Sequence, residues 1–188
     1  MITSNEEKIL LKIIKKNEGK IINKNFSYPL LENGFDEKDI FSGIEVLLSR
    51  KLTMSQITEK FERNFANYVG SKYAVMVNSG SSANLLMIAS LFYTKKPFLK
   101  PGDEVIVPAI SWSTTYFPLH QYGLKIKFVD IDKHTLNLDI EKLKKALTSS
   151  TKLIMAVNLL GNPNHFDEIK SLIKNVFKSQ VITWVLEV

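Results

Sequence analysis

From Tyr73 to Leu186 the chain alternates short apolar runs with helical patterns, and that alternation constrains the fold more than any single motif. The runs Tyr73–Val77, Glu104–Val107, Lys125–Asp130, Lys152–Asn158 and Val181–Leu186 read as strands. Between them Ala83–Tyr93, Thr115–Tyr122, Asp139–Leu147 and Phe166–Lys178 read as helices. Strands that are apolar on both faces, joined by helical crossovers, predict an α/β fold: a mainly parallel sheet flanked by helices. No internal repeat or low-complexity stretch interrupts the pattern.

Before Tyr73 the patterns are helical. Ser4-Asn5-Glu6-Glu7 reads as a capping box, followed by Ile9, Leu10, Ile13 and Ile14 at helical spacing. Lys12 breaks the apolar run, so this segment is too short and too charged for a signal peptide or a membrane span. Residues 1–27 are taken as a basic amphipathic extension, a packing or dimer arm rather than a membrane-surface helix, and residues 28–188 as the main domain. Asp36 can cap a helix carrying Ile40, Ile44, Leu47 and Leu48. Thr53-Met54-Ser55-Gln56 reads as another capping box, ahead of Ile57, Phe61, Phe65 and Tyr68, and Gly70 closes that helix.

Composition removes several classes of function. With 188 residues the chain holds one sizeable core or slightly more. It has no cysteine, hence no disulfide framework, thiolate zinc site or cysteine nucleophile. A cytoplasmic location is compatible with that. The net charge of +6 comes from lysines spread along helix faces rather than from a block interleaved with aromatics. The expectation is therefore no nucleic-acid partner, with the charge serving solvation and the attraction of a phosphate-bearing ligand.

The densest local signal is Asn78-Ser79-Gly80-Ser81-Ser82 between the run ending at Val77 and the helix pattern opening at Ala83. A strand that feeds a helix N-terminus through small residues aims free N–H groups and the positive end of the helix dipole at one point, which suits a phosphate. The same turn also fits plain punctuation, with serine as N-cap and glycine for a bend. It is not a known nucleotide fingerprint. Gly70-Ser71-Lys72 lacks the upstream glycine of a P-loop, and no G-x-G-x-x-G follows a strand. Two further predicted strand ends, Ser111 to Thr115 and Asn158 to Asn162, are rich in small polar groups. Ligands in such sheets sit outside the carboxyl ends of the strands, so these three ends are expected to converge. Trp112, within the second, is one exposed-looking aromatic, and by itself it also fits a core or interface tryptophan.

The histidines are His120, His134 and His165. None stands with another histidine or a carboxylate at metal-ligand spacing, so neither a metal site nor a catalytic role is assigned to them.

Taken in order, SKYAVMVNSGSSANLLMIASLFYTKKP, LKPGDEVIVPAISWSTTYFPLHQYGLKIKFVDID and TKLIMAVNLLGNPNHFDEI resemble the DegT/DnrJ/EryC1/StrS family, over roughly Tyr28 to Val185. The resemblance implies the N-terminal part of the large domain of a fold-type-I enzyme using pyridoxal phosphate or pyridoxamine phosphate. The nearest branch removes the 3-hydroxyl of GDP-4-keto-6-deoxymannose, a step of deoxysugar and O-antigen synthesis. It further implies that Gly80 and Ser81 hold the cofactor phosphate, that Trp112 stacks on its ring, and that Arg50, Lys51, Leu52 and Thr53 contact a nucleotide-linked keto sugar. The Arg50 and Lys51 charges equally suit a helix C-terminus, and Ser55 stands where the family commonly has glycine.

In the family an acidic pair follows the strand aligned with Val181–Leu186, and a later His or Lys separates dehydratases from aminotransferases. Here Glu187 is followed by Val188. The expectation is a truncated relative with no catalytic residue of its own, whose intact relatives are homodimers. A nucleotide-sugar aminotransferase origin stays open, as does a non-enzymatic remnant or a fragment pairing with a full-length relative.

Overall fold

In the computed structural model, residues 2–17, 34–53, 55–176 and 183–187 are described. The proposed boundary between residues 27 and 28 lies outside them, as do Met54, Lys178, Val181 and Ile182. The chain divides into two compact units between Met76 and Val77.

Among the described residues the first unit holds three helices, α1 (Ser4–Asn17), α2 (Glu37–Ser49) and α3 (Gln56–Val69). The cap of α1 falls one residue earlier than the pattern suggests. Thr3 N–H donates to Glu6 Oε2 (2.8 Å) and Glu6 N–H to Thr3 Oγ1 (3.4 Å), so Ser4 becomes the first helical residue. Asp36 caps α2 as expected: its Oδ1 accepts from the Lys38 and Asp39 amides, and Asp39 returns a bond to the Asp36 amide. The α3 box predicted from Thr53 does not form. Ser55 is the N-cap and makes no side-chain cap bond. Gly70 ends α3 at φ 72°, a left-handed position that glycine takes without strain.

The predicted strand Tyr73–Val77 is a further correction, for these residues join no ladder among the described residues. An extended segment needs a neighbour to become a strand. Met76 N–H is instead satisfied by Glu62 Oε1 at 2.8 Å.

The second unit is the α/β body. Strands β1 (Glu104–Pro108), β2 (Lys125–Val129), β3 (Thr151–Val157) and β4 (Thr183–Glu187) form one parallel sheet in the order β2-β1-β3-β4. Helices α4 (Gly80–Phe92), α5 (Ser113–Gln121), α6 (Ile140–Ala146) and α7 (Phe166–Val176) complete it. Every strand expected between Glu104 and Leu186 forms, with its described ends shifted by at most one residue and the expected start of the last one at Val181 outside the described residues.

Alternation along the two central strands decides which helix covers which face. Val105 and Val107 of β1, with Leu153 and Met155 of β3, meet Ile88 of α4 and Leu119 of α5. Ile106, Ile154 and Ala156 point the other way, onto Leu143 of α6 and Ile169 of α7. The sheet is thus covered on both sides. Among the described residues no helix is long and apolar enough to cross a membrane.

Candidate functional site

The strand order places the site. From β1 the chain crosses to β2 on one side, whereas from β3 it crosses to β4 on the other. Where crossovers diverge, a crevice opens at the carboxyl ends of the two adjacent strands. Ala109 to Thr115 leaves β1 there and Asn158 to Asn164 leaves β3.

Helix α4 brings the third segment. It starts at Gly80, three residues before the predicted Ala83, because Ser79 caps it: Ser79 Oγ accepts from Ser82 N–H (3.2 Å) and Ser79 O from Ala83 N–H (3.0 Å). The amides of Gly80 and Ser81 are left without an acceptor among the described residues. Gly80 has no positive φ, and a Cβ built on it would meet nothing within 4 Å. Neither backbone conformation nor packing within the chain requires glycine there. Two open donors beside an unfilled Cβ position fit a phosphate group.

Trp112 is the N-cap residue of α5 and is 71% exposed, so the core reading of this tryptophan fails. Beneath it Ser111 Oγ and Thr115 Oγ1 lie 2.9 Å apart, and Tyr116 Oη donates to Pro108 O at 2.9 Å. These bonds tie the first turn of α5 to the end of β1.

The loop after β3 is held by asparagines, of which the sequence reading covered Asn158 and Asn162 but not Asn137 and Asn164. Asn164, 6% exposed, donates from Nδ2 to Val157 O (2.7 Å) and to Asn158 Oδ1 (3.0 Å), and accepts from Leu138 N–H. Asn137 Nδ2 donates to Pro163 O and Asn162 Nδ2 to Thr135 O, stitching this loop to the one after β2. Leu160 stands at its tip, 88% exposed and at φ 55°, a strained left-handed conformation for leucine. The signal available in the sequence was the run of asparagines Asn158, Asn162 and Asn164 just past a strand end.

Asp132 fixes the neighbouring loop by accepting from the Thr135 and His134 amides at 2.9 and 2.8 Å. The Thr135 amide, then that of His134, holds its carboxyl below the usual aspartate range. A depressed folded pKa means stability that is present above about pH 4 and lost as pH falls through the lower folded value. Amide signals of His134 and Thr135 are expected to shift together on acidification, with a midpoint below the ordinary aspartate value. A midpoint at the ordinary aspartate value would show the loop untied.

In the first unit Arg50, Lys51, Leu52 and Thr53 line a cavity of about 500 Å³, together with Gln56 and Ile57. Arg50 caps α2 from a left-handed conformation, φ 56°. Cationic side chains at the start of α3, whose N-cap serine makes no cap bond, create a setting favourable to an anion. A larger cavity of about 650 Å³ lies between α1 and α2 against Ile9, Leu10 and Leu48, and none of these four residues lines it.

His120, His134 and His165 are all exposed. Among the described residues no group of three or more histidine, aspartate or glutamate side chains is placed to hold a metal.

A parallel sheet covered on both faces, with its switch point between β1 and β3, defines the second unit as an open α/β fold. The family model for the DegT/DnrJ/EryC1/StrS aminotransferase family matches residues 35–177, and the chain belongs to that family. It is 60% identical over 146 residues to GDP-4-keto-6-deoxy-D-mannose 3-dehydratase of Yersinia pseudotuberculosis, covering 78% of this chain and 37% of that protein. It is 40% identical over 152 residues to dTDP-4-dehydro-2,6-dideoxy-D-glucose 3-dehydratase of Saccharopolyspora spinosa, covering 79% and 33%. The solved E. coli GDP-4-keto-6-deoxy-D-mannose-3-dehydratase with bound hydrated PLP superposes with a TM-score of 0.80 at 56% identity, covering 86% of this chain and 41% of that one. The chain thus spans between a third and about two fifths of the lengths of these relatives.

Proposed function

We propose that this chain carries the cofactor-phosphate seat, the ring platform and part of the sugar-nucleotide site of a GDP-4-keto-6-deoxymannose 3-dehydratase, and that alone it binds without turning over. The observation that carries this reading is the pair of open amides at Gly80 and Ser81 beside an unfilled Cβ position. Gly80 and Ser81 hold the phosphate of pyridoxal or pyridoxamine phosphate, and the exposed face of Trp112 takes its ring. When bound, that group supplies an electron sink for loss of the sugar hydroxyl. Arg50 and Lys51 take the pyrophosphate of the nucleotide sugar, with Leu52 and Thr53 completing the contact. Residues 28–188 are read as part of the large domain of a cytoplasmic, dimer-forming enzyme, and residues 1–27 as an added amphipathic segment.

The segments Asn78–Asn84, Ala109–Thr115 and Asn158–Asn164 contain no titratable side chain. They bind and orient but cannot move a proton, so the acid–base groups must come from elsewhere. Incubation with the keto sugar nucleotide and pyridoxamine phosphate is expected to yield no deoxysugar above a cofactor-only control. Product above that background would overturn the binding-only assignment.

Binding tests the seat itself. Pyridoxal phosphate is expected to bind better than pyridoxal, and Trp112→Ala to weaken both while leaving that phosphate preference in place. Equal affinity for the two compounds in folded protein would reduce the turn to punctuation.

A second reading, association with a full-length relative, is favoured by large exposed apolar side chains in the second unit, among them Leu85, Leu86, Phe117 and Phe128. Strong binding of an apolar-surface dye is expected from the isolated chain. A monodisperse monomer that binds no dye would remove this reading.

A further inference from the structure

We propose that Asn84 is a positioning residue that sets the phosphate seat against the ring platform, an inference that rests on the function proposed above. Asn84 lies one helical turn after Gly80, on the same face of α4, and is 4% exposed. Its neighbour one turn further on, Ile88, is fully buried in the core against α5 and the sheet. A polar side chain on that face has to find a partner. Asn84 Nδ2 donates to Thr114 O at 3.4 Å, across to the first turn of α5.

That acceptor is available for a reason written in the sequence. In a helix the carbonyl of residue 114 would take the N–H of residue 118. Position 118 is a proline, buried within α5, and has no N–H to give. Pro118 leaves the Thr114 carbonyl short of its helical donor, and Asn84 supplies one from α4. The bond therefore joins the turn bearing Gly80 and Ser81 to the turn that follows Trp112. Ring and phosphate of one ligand reach both subsites together only while the two helix starts stay in register.

A residue of this kind affects the linked ligand more than its pieces. The test measures inorganic phosphate, pyridoxal and pyridoxal phosphate against the unmodified chain, Asn84→Leu, and Asn84→Leu combined with Pro118→Ala. The second change returns the helical N–H to Thr114 and so repairs stability without restoring the bridge between helices. In both variants phosphate and pyridoxal are expected to bind within about twofold of the unmodified chain, and pyridoxal phosphate about tenfold more weakly. Unchanged pyridoxal phosphate affinity in the folded double variant overturns the positioning role while leaving the seat intact. Unmodified protein that prefers pyridoxal phosphate to neither fragment overturns the seat and this role together. Should neither variant fold, the side-chain amide protons of Asn84 in unmodified chain decide: slower exchange with pyridoxal phosphate than with either fragment is expected, and equal exchange overturns the proposal.

Discussion

Gly80→Val is expected to erase the preference for pyridoxal phosphate over pyridoxal, a loss of about a hundredfold in the ratio of the two affinities, with the fold retained. Two charge-assisted bonds from the Gly80 and Ser81 amides, at about 1.5 kcal/mol each, correspond to a factor of that size. The added side chain would stand where no atom of the described residues lies within 4 Å of its Cβ, and there it would obstruct close approach of a phosphate to those amides. Because Gly80 has no positive φ, valine introduces no backbone strain, and its helix propensity is no lower than that of glycine. Calorimetric titration with both compounds, beside circular dichroism, reads the two quantities separately. A variant that keeps its phosphate preference would place the seat elsewhere.

Ile154→Ala is expected to have the largest effect on stability. Ile154 is fully buried at the centre of β3, against Ile106, Leu143 and Ile169. Deleting its outer methyl and methylene groups should cost about 2–5 kcal/mol, a large part of the total available to a domain of this size. Denaturant unfolding is expected to show a midpoint shifted well down or no folded baseline. Phe128→Ala, at a 57% exposed site on β2, should change the midpoint little. Equal effects from the two would mean that the two-faced core does not support the sheet.

Strands β1 and β3 were legible because both their faces are apolar, and β2 because it keeps the alternation of strands and helices. Tyr73–Val77 has the same composition but no ladder, since a strand is a relation between two segments and a composition describes only one. The caps of α1 and α3 were misplaced for a related reason. Thr3, Ser4, Thr53 and Ser55 are all competent N-caps, and the choice among them depends on the path of the preceding chain. At the site, the small-residue turn from Asn78 to Ser82 stood out in the sequence, although its helix begins at Gly80 rather than Ala83, and nothing in the pattern singled out Asn84. Only the placement of Pro118 opposite it supplies the meaning.

The order β2-β1-β3-β4 also dictates a schedule for folding during synthesis. The inner edge of β1 pairs with β3, and Glu104 takes a hydrogen bond from Thr151, 47 residues later. At about 5–20 residues per second, the ribosome delivers that partner roughly 2–10 s after β1 has emerged. Through that interval β1 has at most β2 beside it, and its edge toward β3 stays unpaired. Synthesis rate over residues 130–150 therefore bears on how much chain reaches the folded state.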